Sequence, residues 1–215
     1  MIYYNHFNIN PEKFRCPQYN ISPFSTESIR ENYAITSNEK AINFKLLEKY
    51  FGEQHRYFIN GKSALFAAIS QYDLKPEDEV FIITTTGNKY ISSCVTNEIE
   101  RKCKWSRQLS DKTKLILVNH EFGMIYNKMD DLKMLGLPII EDMAMSMFST
   151  DISHKTGKYG DFTIFSLPKF FPVQFGGVLR INNQNALSFA FEEDKIIAKD
   201  LQKLASFYLN NVESI

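Results

Sequence analysis

The sequence predicts an α/β layered domain built on a mostly parallel sheet. Two observations carry that prediction. Short apolar runs without polar alternation, such as Val80 to Ile83 and Leu115 to Val118, read as strands buried on both faces. Between them lie stretches with helical spacing, which is the alternation expected of helices packed on a parallel sheet. In chain order, residues 43–51 read as a helix and 57–59 as a short strand. The stretch 63–72 is helical, with Leu65, Ala68, Ile69 and Tyr72 on one side. The strand 80–83 follows the turn-forming Pro76-Glu77-Asp78-Glu79. Residues 90–100 form a plausible helix, 115–118 a strand, and 128–135 a short helix ended by Gly136. Strands follow at 137–140, 162–165 and 177–181, and 183–210 reads as helix. Residues 1–40 are polar and irregular, with Pro11, Pro17 and Pro23 spaced through them and a capping signal at Ser25 to Ser28. The expected organisation is an irregular N-terminal segment (1–40), an α/β domain (41–182) and a helical tail (183–215), without repeats.

Bulk properties exclude several classes. The chain has 215 residues, with 25 Lys plus Arg against 25 Asp plus Glu. A zero net charge lacks the footprint of a general nucleic-acid binder. Apolar residues at 44% and aromatics at 14% argue against disorder. The opening residues have no basic start followed by an apolar core, so a secretory leader is not expected. The apolar runs are too short to cross a bilayer. Cys16, Cys94 and Cys103 form no CxxC pair and read as reduced thiols, which points to the cytoplasm. His120-Glu121 begins like a zinc-protease helix, but Met124 stands where the second histidine is needed, so no metal site is expected.

In open α/β sheets, ligands gather at the carboxyl ends of strands. Four polar features fall there or at a helix start. Gly61-Lys62-Ser63 would offer free backbone amides to a phosphate, or simply begin a helix. It is not a nucleotide P-loop, because that motif needs a glycine five residues earlier, where Arg56 stands. Tyr90 opens the next predicted helix. Asp142, in Glu141-Asp142, closes the strand 137–140, where a carboxylate can pair with a protonated ring nitrogen or cap a helix. Ser166 ends a strand, and a turn containing Pro168 presents Lys169. A serine can hold a phosphate oxygen, and a desolvated lysine can form a Schiff base with an aldehyde.

Taken together, these segments resemble the DegT/DnrJ/StrS family of pyridoxal-phosphate-dependent sugar aminotransferases. GKSAL (61–65) resembles the family's phosphate turn, and DKTKLILVNHEFG (111–123) its lysine-Thr-Lys…His-x-x-Gly stretch. IIEDMAM (139–145) resembles the Glu-Asp-x-Ala strand end. KTGKYGDFTIFSLPKFFPVQFGG (155–177) follows the order Gly-x-x-Gly-Asp, strand, serine, lysine, Gly-Gly, in a short Ser-x-x-Lys form. The resemblance runs over roughly 58–180. It implies the three-layer large domain of such an aminotransferase, with the small C-terminal domain largely absent. It implies pyridoxal 5'-phosphate bound through Gly61, Lys62, Ser63, Tyr90, Asp142, Ser166 and Lys169. Lys169 would carry the Schiff base as the catalytic residue, Asp142 would hold the pyridine nitrogen, and Tyr90 would stack on the ring. It also implies a keto-sugar nucleotide substrate, a donor such as glutamate, and a homodimer, in amino-sugar synthesis for surface polysaccharide. Some relatives use the same cofactor for dehydration. Where members usually carry glutamine against the cofactor's ring hydroxyl, this chain has Met145, which cannot donate a hydrogen bond. The competing expectation is a non-catalytic homologue that keeps the fold and acts through protein contacts.

Overall fold

A computed structural model of the chain describes residues 26–38 and 41–214. Its elements are α1 (Thr26–Ser37), α2 (Phe44–Phe51), β1 (His55–Phe58), α3 (Gly61–Ile69), β2 (Glu79–Thr84), α4 (Ser93–Glu100), β3 (Lys104–Ser106), β4 (Thr113–Asn119), α5 (Met129–Lys133), β5 (Ile139–Asp142), β6 (Phe162–Ser166), β7 (Gly177–Ile181) and α6 (Lys195–Glu213). Seven strands form one sheet in the order β1-β7-β6-β5-β4-β2-β3. The pairs from β6 to β3 are parallel. β7 runs antiparallel to both β6 and β1. Helices cover both faces, which gives the layered α/β fold expected from the alternation of strands and helices and the three layers that the resemblance implies. One face buries Leu115, Leu117, Ile140 and Ile164 under α3 and α4. The other packs α2 and α6 over Phe165 and Val178, and α5 over Ile116 and Val118.

Local chemistry explains the departures from the predicted boundaries. Asn60 Oδ1 accepts the Ser63 N–H, so α3 starts at Gly61, ahead of the apolar periodicity. Ser92 Oγ accepts the Cys94 N–H, so α4 starts at Ser93 instead of Tyr90. The predicted helix over 183–210 begins only at Lys195, capped by Asp194. The residues before it are tied to the turn after α3 and to the sheet edge. Ser188 and Phe189 donate their N–H groups to Gln71 Oε1, and Glu193 Oε1 accepts the N–H of Tyr57 on edge strand β1. β3 gives no apolar run because it is an exposed edge of three residues, Lys-Trp-Ser. Within the stretch read as irregular, the helix α1 occupies 26–37, where the signal at Ser25 to Ser28 allowed a short helix to open; Ser25 and the three N-terminal prolines lie outside the described residues. Cys94 and Cys103 are both free thiols, and Cys16 also lies outside the described residues. No helix among the described residues is long and apolar enough to cross a membrane.

Candidate active site

Strand alternation selects which side chains reach the ligand end of the sheet. On β4, Leu115 and Leu117 face α3 and α4, while Ile116 and Val118 face α5. Side chains alternate every residue along a strand, so Asn119 falls on the α3/α4 face. The same parity places Asp142 with Ile140 on β5, and Ser166 with Ile164 on β6. All three line one cavity of about 350 Å³, together with Lys169 and the start of α3 at Gly61 and Lys62.

Each wall has an identifiable cause. Ser166 ends β6 in extended conformation, and Leu167–Lys169 then make a single 3-10 turn with Pro168 inside it. The Leu167 N–H donates to the Gly176 carbonyl at 3.0 Å, which fixes the turn that presents Lys169. Gly61 lies close enough to Ser166 that a Cβ there would come within 3.4 Å of the serine Cβ and 3.7 Å of its Oγ. The helix start and the serine therefore form two sides of one cup. Asn60 Oδ1 takes both the N–H (2.9 Å) and the Oγ–H (3.1 Å) of Ser63. The amides of Gly61 and Lys62 find no acceptor among the described residues. Open first-turn amides of this kind favour an anion.

Asp142 is 7% exposed, and its Oδ1 accepts the Ala144 N–H at 2.9 Å. Burial pushes its carboxyl above the ordinary range, against the Ala144 N–H, the Lys169 ammonium and His120. Its charge therefore costs stability above the unfolded pKa, and that cost vanishes as the pH falls and the group protonates. Asp142→Asn keeps the acceptor for Ala144 and removes the charge. The ligand-free variant is expected to melt above the parent at neutral pH, with the gap closing toward pH 4, measured by thermal unfolding across pH.

Not every predicted residue reaches the cavity. Gly61, Lys62, Asp142, Ser166 and Lys169 do; Ser63 and Tyr90 do not. Ser63 is occupied as a capping partner. Tyr90 is 73% exposed, and the wall on its side is made instead by Cys94 and Val95 of α4. The segment carrying it is tied elsewhere. Arg107 donates to Thr84 Oγ1 (3.0 Å) and the Asn88 carbonyl (2.9 Å), and Glu121 accepts the N–H and Oγ–H of Thr86. Lys169 is exposed in the single chain, not desolvated as its proposed chemistry suggested.

Sequence reasoning missed Glu141. Its side chain is fully buried on the opposite face from Asp142. Its two oxygens accept the backbone N–H groups of Gly157 (3.0 Å), Tyr159 (2.7 Å) and Gly160 (2.9 Å). His120 Nδ1 accepts the Tyr126 N–H, so Nε2 carries the proton and donates to Glu141 at 3.2 Å. The Gly-x-x-Gly signal at 157–160 marks this anchor: a turn that aims its amides at one carboxylate.

The DegT/DnrJ/EryC1/StrS aminotransferase family model matches residues 102–185. No curated protein matches the chain. Among solved structures, the chain is similar to the aminotransferase TlmJ from Streptoalloteichus hindustanus, at 15% identity over 87% of this chain and 63% of that one (TM-score 0.65). It is similar to NtdA from Bacillus subtilis with bound cofactor PMP, at 15% identity over 87% and 55% (TM-score 0.62). It is also similar to DesI in the presence of its TDP-sugar product, at 12% identity over 88% and 59% (TM-score 0.61). The chain thus spans less than two thirds of each of these proteins, and it shares their fold. The stretch 102–185, which carries Asp142, Ser166 and Lys169, is thus the part of the chain that is similar to the DegT/DnrJ/EryC1/StrS aminotransferase family.

Proposed function

We propose that this chain binds pyridoxal 5'-phosphate and takes part in amino-group transfer to a keto-sugar nucleotide. The observation that carries the proposal is the cavity that unites a buried carboxylate, an amine and an anion cup. Each part fits one portion of the cofactor. The open amides of Gly61 and Lys62, the Lys62 ammonium and Ser166 Oγ suit a phosphate. Asp142, whose charge is costly in isolation, suits a protonated pyridine nitrogen, since a buried charge is stabilised by an opposite one. Lys169 Nζ is the amine positioned to meet an aldehyde, and later to move a proton at its own nitrogen. When bound, the cofactor supplies that aldehyde and an electron-withdrawing ring.

The sugar-nucleotide reading is supported by the family segment and by the likeness to DesI, whose structure was determined with its TDP-sugar product; the glutamate donor and the homodimer are expectations of the family resemblance. Lys62 adds a cation where phosphate would sit, which also suits anionic ligands.

The test is spectroscopic. The purified protein mixed with pyridoxal phosphate is expected to develop a visible absorbance band, and Lys169→Ala is expected to lose it. Absence of the band in the parent protein overturns the cofactor assignment. A band that does not bleach when glutamate is added overturns transamination from glutamate and leaves a cofactor-binding protein.

A further inference from the structure

We propose that Asn119 binds the ring hydroxyl of the cofactor, an inference that rests on the pyridoxal-phosphate assignment above. Asn119 ends β4 directly beside Asp142, its register partner on β5, and it lines the same cavity. Its backbone carbonyl accepts the Thr85 N–H (3.2 Å) and Oγ–H (3.3 Å). Its side-chain amide makes no hydrogen bond among the described residues. A half-buried amide with no protein partner at a cavity wall is poised to serve a ligand.

The order of strands says which part of the ligand it meets. Ser166, Asp142 and Asn119 stand on β6, β5 and β4, three successive strands, all facing α3 and α4. In pyridoxal phosphate, the phosphate arm and the ring hydroxyl flank the aldehyde carbon, and the ring nitrogen lies opposite it. With the phosphate held at Ser166 and the nitrogen at Asp142, the hydroxyl-bearing edge turns toward β4. Met145, which faces the same cavity, offers no donor there. Asn119 Nδ2 would donate to the hydroxyl oxygen in its ionised form, the stronger kind of hydrogen bond.

The experiment compares two ligands on two proteins by equilibrium dialysis: pyridoxal phosphate and its 3-deoxy analogue, which lacks the ring hydroxyl. Asn119→Leu is expected to weaken pyridoxal phosphate binding about 10-fold, the loss of one charge-assisted hydrogen bond. It should leave binding of the analogue within about twofold, because the group that Asn119 serves is absent. Equal losses for both ligands, or no loss for either, overturn the proposal. Should Asn119→Leu melt well below the parent, Asn119→Ser, whose hydroxyl cannot reach as far, carries the same comparison with the same expected pattern. Failure of the parent to bind pyridoxal phosphate is a separate result, which removes the cofactor assignment itself and this proposal with it.

Discussion

Glu141→Ala is expected to lower unfolding stability by about 4 kcal/mol at neutral pH, read from chemical denaturation. Three backbone donors converge on this carboxylate at 2.7–3.0 Å, and the buried His120 adds a fourth. Removing the acceptor orphans the buried amides of Gly157 and Gly160 and the part-buried amide of Tyr159. Each buried unsatisfied donor costs about 1–3 kcal/mol. Against a total stability of about 5–15 kcal/mol for a typical domain, such a loss leaves little margin. Glu141→Gln is expected to cost about half as much, since it keeps one oxygen but turns an NH2 group toward backbone N–H donors. A loss below about 1 kcal/mol for the alanine variant would show that the amides find other partners, and would contradict the anchor role.

The second large effect is expected at Gly177. A Cβ there would sit 2.3 Å from the Asn60 carbonyl oxygen, 2.4 Å from its carbon and 2.7 Å from the Gly61 nitrogen. All three are backbone atoms, so no rotamer change relieves the collision. Either β7 shifts or the start of α3 does. Overpacking in well-packed regions costs about 1–3 kcal/mol when side chains can move; here about 3 kcal/mol or more is expected for Gly177→Ala. Because Gly61 and Lys62 belong to the proposed anion cup, pyridoxal phosphate binding should fall by more than the stability loss alone explains. Gly136→Ala is the control. Gly136 has φ +67° and nothing within 4 Å of its would-be Cβ, so only left-handed backbone strain of about 1 kcal/mol should appear, without change in binding. Similar binding by Gly177→Ala and the parent would mean the helix start tolerates displacement.

The sequence made the strands legible because a parallel sheet buried on both faces leaves unbroken apolar runs, as at 80–83 and 115–118. It made Asp142, Ser166 and Lys169 legible because strand ends are where such runs stop and polar residues begin. β3 left no apolar signature, since an exposed edge strand needs none. Glu141 stood beside Asp142 with no role assigned; that its side chain takes the opposite face from Asp142 follows from strand parity once the strand's end is known. Asn119 was passed over inside a motif, because nothing in a sequence says which amide lacks a partner. Tyr90 was placed near the site by a predicted helix start and given its stacking role by resemblance, and local hydrogen bonds to Arg107 and Glu121 tie its segment elsewhere.

The pairing of β1 with β7 has a consequence for the order in which the site can form. β1 delivers Asn60 and Gly61, yet its ladder partner is β7, the last strand of the sheet in chain order. Pairings between residues so far apart in sequence form slowly, because loop closure must precede any gain from contact. Asp142 and Ser166 can settle as soon as β4, β5 and β6 align, whereas Lys169 needs Gly176, at the entry to β7, to fix its turn. The helix start that completes the anion cup must wait for Gly177 to arrive beneath it. Phosphate affinity during refolding should therefore recover with the slowest phase, as a clock for the final closure of the sheet.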